Sequence, residues 1–187
     1  MIGSLPTSLS VNDTEYQIRS DYRDCLRIME AFADEELDIE EKIYISLVIL
    51  YKDFDRMSES DYEEAYRQLL WFLNGGDTYE NEEKSKPVMD WKQDESLYFP
   101  AINKVAGREV RAMKYLHFWT FLGYYQEIGE GTFATVVNIR NKKNKGKKLE
   151  KYEQDFYRSH KNMIDLKRKY TAEEQASLDA AKRLVGR

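Results

Sequence analysis

The sequence predicts a mainly α protein: a compact helical domain with a small N-terminal β-hairpin and a basic, helical C-terminal extension. Three observations lead there. Apolar residues recur at spacings of three and four through most of the chain, which is the period of a helix that buries one face. Near the N-terminus the period drops to two on both sides of a turn-forming Asn12-Asp13 pair. After residue 139 the chain becomes lysine-rich before helical signal returns.

The hairpin comes first. Leu9 and Val11 alternate with Ser8 and Ser10, and Thr14, Tyr16 and Ile18 alternate with Glu15, Gln17 and Arg19. A lone hairpin is marginal in water, so this one must pack on the helices. A first helix is expected over residues 21–33, with Tyr22, Cys25, Leu26, Met29 and Phe32 as its stripe. A second begins at Asp38, with Glu41 placed for a capping box, and carries Ile43, Leu47, Leu50, Tyr51 and Phe54. A third starts at Ser60, with Glu63 three residues on, and ends at Asn74-Gly75-Gly76.

Residues 75–90 read as a mobile polar loop. Helical signal resumes at about 94–106 and ends at Gly107, with Pro100 making it either two short pieces or one kinked helix. Residues 110–128 are apolar on nearly every face, as expected of one central buried helix. The segment 132–139 is rich in β-branched residues but sits among helices, and helix is the reading taken. Further helices are expected over 149–160 and from Thr171, with Glu174 completing a capping box, to about Leu184. The chain thus divides into a helical domain over 1–139 and a basic linker with C-terminal helices over 140–187.

Composition narrows the function. Of 187 residues, 42% are apolar and 34% charged, enough for one core under a heavily solvated surface. No apolar run approaches the roughly 20 residues of a membrane-spanning helix. The N-terminal stretch has neither a basic n-region nor an apolar h-region, so no secretory signal is expected. Cys25 is the single cysteine, which precludes an intramolecular disulfide and suits a reducing compartment. Charge is segregated. Residues 34–64 hold twelve acidic and three basic groups, a net −9, whereas residues 140–169 hold twelve basic and four acidic ones, a net +8. That pattern suggests charge-complementary contacts within the chain or between copies.

Candidate chemistry is sparse. The run from Gly129 to Val136 resembles a kinase glycine-rich loop, but its third glycine is Ala134 and no other kinase motif follows. His117 and His160 lack metal-site spacing. His117 reads as a hydrogen-bonded core or interface residue and Cys25 as a small core residue. Asp90, Asp94 and Glu95 lack the order of a calcium loop and read as a solvated helix start. No catalytic, metal or cofactor residues are therefore proposed, and an enzyme is not expected. The basic run from Arg140 to Lys151 could meet phosphate, but aromatic interleaving is thin and the pI is about 5.3. A linker or a docking surface for an acidic partner is favoured over nucleic-acid binding. Candidate partner-binding residues are the aromatics Tyr115, Phe118, Trp119, Phe121, Tyr124 and Tyr125, with Trp119 and Leu122 inward and Tyr124 outward, and the lysines Lys142, Lys143, Lys147 and Lys148. A role for the aromatics in the core alone is the default.

The runs Asp90-Trp91-Lys92-Gln93-Asp94, Asn103-Lys104-Val105-Ala106-Gly107 and Tyr115 to Leu122 resemble the phage "gene product fifteen" family. Ile139-Arg140, Gly146-Lys147-Lys148-Leu149 and Phe156-Tyr157 share the likeness, which extends over nearly the whole chain. The resemblance implies a protein encoded in the tail module of long-tailed phages of Gram-positive hosts, beside the tape-measure protein. Proteins in that slot are typically tail assembly chaperones that coat the tape measure in the host cytoplasm until tube protein polymerises around it. The implied partners are the tape measure, the tail tube protein and other copies of the chain. The alternatives are a structural tail or connector protein retained in the virion, and a nucleic-acid-binding regulator using residues 140–151.

Overall fold

The chain reverses at Asn12 and Asp13, whose φ angles of 45° and 64° give a left-handed two-residue turn that matches strand twist. The computed structural model describes residues 3–78 and 86–167. The turn joins β1 (Ser8–Val11) to β2 (Thr14–Gln17), with Leu9 opposite Tyr16 and Val11 opposite Thr14. Leu9, Val11, Tyr16 and Ile18 are buried, so the period-two face points into the core as the alternation predicts.

The residues after β2 form a two-sided spine. Arg19 N–H donates to the Leu50 carbonyl (2.7 Å) and Lys52 N–H to that of Gln17 (2.9 Å). On the other side, Tyr22 N–H donates to Leu116 O (3.0 Å) and Phe118 N–H to Ser20 O (2.8 Å). The hairpin is thereby tied to two distant segments, which supplies the support an isolated hairpin lacks.

Eight α-helices occupy the described residues. α1 (Tyr22–Phe32) starts where the Asp21 carboxylate accepts from Arg23 N–H. α2 (Ile39–Leu50) has the expected capping box, Asp38 and Glu41 each accepting the other's backbone N–H. α3 (Tyr62–Leu73) departs from expectation. A 3-10 turn over Glu59–Asp61 precedes it, Ser60 is hydrogen-bonded to Ser58, and Glu63 reaches Arg67, so no capping box forms there. α4 (Glu95–Ala106) is one helix that runs through Pro100 and stops at Gly107 in the left-handed region (φ 68°). Pro100 and Ser96 are both exposed, so the carbonyl that proline leaves unpaired faces water.

The apolar segment 110–128 is not one helix. A 3-10 turn (Val110–Ala112) and an extended stretch precede α5 (Phe118–Gln126). Backbone groups of Leu116 and Phe118 are held by the 20–22 spine, and that pairing competes with helix over 113–117. α6 (Thr132–Asn144) is helical as read, and its helix continues into the basic run to include Lys142 and Lys143. Its buried positions, Phe133, Val136, Ile139 and Arg140, follow helical spacing. α7 (Lys151–Ser159) and the short α8 (Lys161–Ile164) fold back on α6. Val136, Ile139 and Ile164 form a satellite core there, with Leu97 shared between it and the main core. The helix expected from Thr171 and most of the loop's polar centre lie outside the described residues.

Candidate functional site: a buried polar hub beside an open groove

Arg140 sits on the buried face of α6 and is 4% exposed, and its partner Asp94, just before α4, is 1% exposed. The guanidinium grips both carboxylate oxygens, at 2.6 and 2.9 Å. Its remaining N–H groups donate to the carbonyls of Val88, Met163 and Ile164. All five donors are thus used, as burial of the charge requires. Asp94 also accepts from Asp90 N–H (2.9 Å). This acidic residue, read from sequence as a solvated helix start, is therefore a buried anchor. Asp90 turns the preceding chain by accepting from Lys92 and Gln93 N–H.

The candidate lysines divide in two. Lys142 pairs with buried Glu153 at 2.6 Å, and Lys143 reaches Asp165 at 2.7 Å while lying over the Tyr157 ring. The hydrogen bond from Lys142 holds the Glu153 carboxyl below its usual range. Burial raises the Asp165 pKa, but hydrogen bonds from Lys143 and Tyr157 outweigh it and leave that carboxyl lowered. Lys147 and Lys148 are exposed, on the turn after α6.

The candidate aromatics divide similarly. Phe118 and Phe121 are fully buried, and Phe121 stacks on Tyr22 with centroids 4.6 Å apart. Trp119 is partly buried. Its indole N–H donates to Phe72 O, and its ring lies so close to Gly76 that an added Cβ would meet it at 3.0 Å. Gly76 thus has two reasons to be glycine, its φ of 94° and this close approach. Tyr124 and Tyr125 pack at the edge of the core, Tyr125 with its hydroxyl directed at Met89 sulfur. Tyr115 is exposed and hydrogen-bonded to Ser20. His117 is buried and caps α5. Its Nδ1 accepts from Trp119 N–H (3.0 Å), which places the proton on Nε2, and Nε2 donates to Pro6 O (2.9 Å). The structure does not gather these aromatics and the lysines into one patch.

What it does gather was not singled out from sequence. A groove of about 1060 Å³ runs beside α1 and α2, with the segment 87–92 and residues 166–167 completing it. Met29, Ile45, Ile49, Met89 and Trp91 supply apolar lining. Glu30 from the last turn of α1 and Asp34, Glu35 and Glu36 from the α1–α2 turn line it as well. Arg140 braces the far wall through Val88 and the chain leading to Leu166. The available signal was the surplus of apolar residues on α2, more than one buried face requires.

Fold and surface together define a mainly helical protein in which, among the described residues, buried Asp94, His117, Arg140 and Glu153 bond within the chain and the surface includes an open groove. A family model described as Bacteriophage Gp15 protein matches residues 1–166, and the chain belongs to that family. It is a bacteriophage protein, and no helix among its described residues is long and apolar enough to cross a membrane. No curated protein and no solved structure matches the chain.

Proposed function

We propose that this protein is a non-enzymatic tail assembly chaperone that holds the tape-measure protein in the host cytoplasm until tail tube protein takes its place. One observation carries the reading: α2 is apolar on two opposite faces. Residues advance about 100° each around a helix. Ile43, Leu47 and Leu50 therefore face the core, and Tyr44, Ile45, Val48 and Ile49 share the other side. Tyr44 is 53% and Val48 40% exposed, while Ile45 and Ile49 open into the groove. A helix apolar all round is normally buried all round. Ile49 also packs against the core and Tyr44 stands edge-on to Phe54, so the part of this face left for a partner is the exposed strip of Tyr44 and Val48 with Ile45 beside it, and the partner we assign is a long helical polymer with apolar stripes.

The polar groups support the same reading. Buried Asp94, Arg140, Glu153 and His117 are each hydrogen-bonded within the chain. Engagement of Lys142 and Lys143 with Glu153 and Asp165 counts against a nucleic-acid role for the basic run. Release of the coat requires each contact to be modest, with repetition along the polymer supplying the avidity. Exposed Lys147 and Lys148 are available to the acidic surface of a neighbouring copy. The test is Tyr44→Glu with Val48→Glu in the phage. Loss of intact tails with a folded variant protein supports the proposal, and a normal tail yield overturns it.

A further inference from the structure

The groove is not electrically uniform, and its acidic groups are concentrated on one side. The α1–α2 side presents Glu30, Asp34, Glu35 and Glu36, all exposed. The side formed by 87–92 and 166–167 carries Lys92 and Lys167 together with Asp90, whose carboxylate accepts from the Lys92 and Gln93 N–H groups. Arg27, which also borders the acidic side, is paired with Asp24 at 3.1 Å and does not neutralise the turn. Between the walls lie the apolar side chains of Ile45, Ile49 and Trp91. The groove is open and long-sided, bordered by α1, α2 and the 87–92 segment, and an apolar floor with a one-sided acidic edge matches an amphipathic helix.

We infer that this groove takes an amphipathic helical segment of the partner whose apolar stripe is flanked by lysine or arginine on one side, seated against the Glu30–Glu36 turn. The inference rests on the chaperone reading and adds the chemistry of the client: helical, apolar-striped and basic-flanked. The apolar stripe meets Ile45, Ile49 and Trp91 and supplies the contact area. The acidic turn fixes which way round the helix lies and steers its approach. The mixed charges of Lys92, Lys167 and Asp90 on the other side supply no comparable attraction for a basic flank, so the acidic turn sets the orientation. Because the charged groups are exposed, their share of the binding is screened by salt, and the apolar share is not.

The test uses the full chain and two synthetic helical peptides with the same leucine stripe, one flanked by lysine and the other by glutamate. At about 50 mM salt the lysine peptide should bind roughly tenfold tighter, and the preference should shrink severalfold at about 500 mM. Glu35→Lys with Glu36→Lys should abolish the preference without altering the fold, since both side chains are exposed. Ile45→Glu should weaken both peptides. Equal affinities, or binding indifferent to Ile45→Glu, overturn the inference. A photo-crosslinker on Ile45→Cys, used during co-expression with the tape-measure protein, identifies the occupant. Crosslinks to the tape measure support the inference, and crosslinks to a second copy or within the chain overturn it. A soluble tape measure with a silent crosslinker refutes this groove but not the chaperone role. Selective peptide binding with an insoluble tape measure refutes the chaperone role but not the groove's chemistry.

Discussion

Arg140 and Asp94, 46 residues apart in the chain, form a two-pronged ion pair shut away from solvent, and the same guanidinium binds three carbonyls on two other segments. One side chain thereby joins α6, the start of α4, the segment around Val88, and the end of α8. Arg140→Ala leaves the Asp94 charge buried with a single backbone donor and should cost about 3–5 kcal/mol, as removing one member of a buried pair generally does. Arg140→Lys should fail to restore it, because an ammonium cannot reproduce the fork. Urea unfolding followed by circular dichroism measures both, and a change under about 1 kcal/mol would contradict this role.

His117→Ala removes the cap of α5 and the link to Pro6 together. Loss of a cap and of a buried hydrogen bond should cost about 2–3 kcal/mol. His117→Asn can retain the cap but not the reach to Pro6, so its melting temperature should fall between those of the wild type and the alanine variant. Equal melting temperatures for all three would show that neither contact contributes.

The four candidate lysines should separate in a stability assay. Lys142→Glu with Lys143→Glu places like charge against Glu153 and Asp165 and should lower the thermal midpoint. Lys147→Glu with Lys148→Glu, on the exposed turn, should leave it unchanged. The second pair then tests contacts between copies without disturbing the fold, read out by sedimentation at low salt.

Three carboxyls make the stability depend on acid. Glu153 and Asp165 are lowered by their lysine partners, and a hydrogen bond from Arg111 lowers Glu109 to about 2. A carboxyl whose pKa is lower folded than unfolded stabilises the fold above its unfolded pKa. That contribution is lost as pH falls through the folded value. Stability should therefore hold at neutral pH and decline from about pH 4.5 towards 2. Glu153→Gln should flatten part of the decline, and an unchanged acid profile in that variant would contradict the assignment.

Local chemistry was legible in the sequence. The Asn12-Asp13 turn, the Asp38–Glu41 capping box and the Gly107 stop depend on neighbours within a few residues, and each was readable from spacing. Ser60 misled because a Ser-x-x-Glu spacing permits a capping box without requiring one, and Ser58 offered a competing hydrogen bond. The break before α5 was hidden because it depends on Ser20 and Pro6, about a hundred residues away. The Asp94–Arg140 pair was hidden for the same reason, since no periodicity reports a contact between a loop and a distant helix. The groove was half legible. The net charge of residues 34–64 exposed its acidic wall, but that Ile45 lines a groove while Leu47 and Leu50 fill the core shows only in the fold.

The most direct measurement is co-expression of this chain with the tape-measure protein, followed by affinity capture and size-exclusion chromatography. The account predicts a soluble tape measure eluting with many copies of this chain, and loss of that complex with Tyr44→Glu and Val48→Glu. A tape measure that stays insoluble while this chain elutes alone would contradict it.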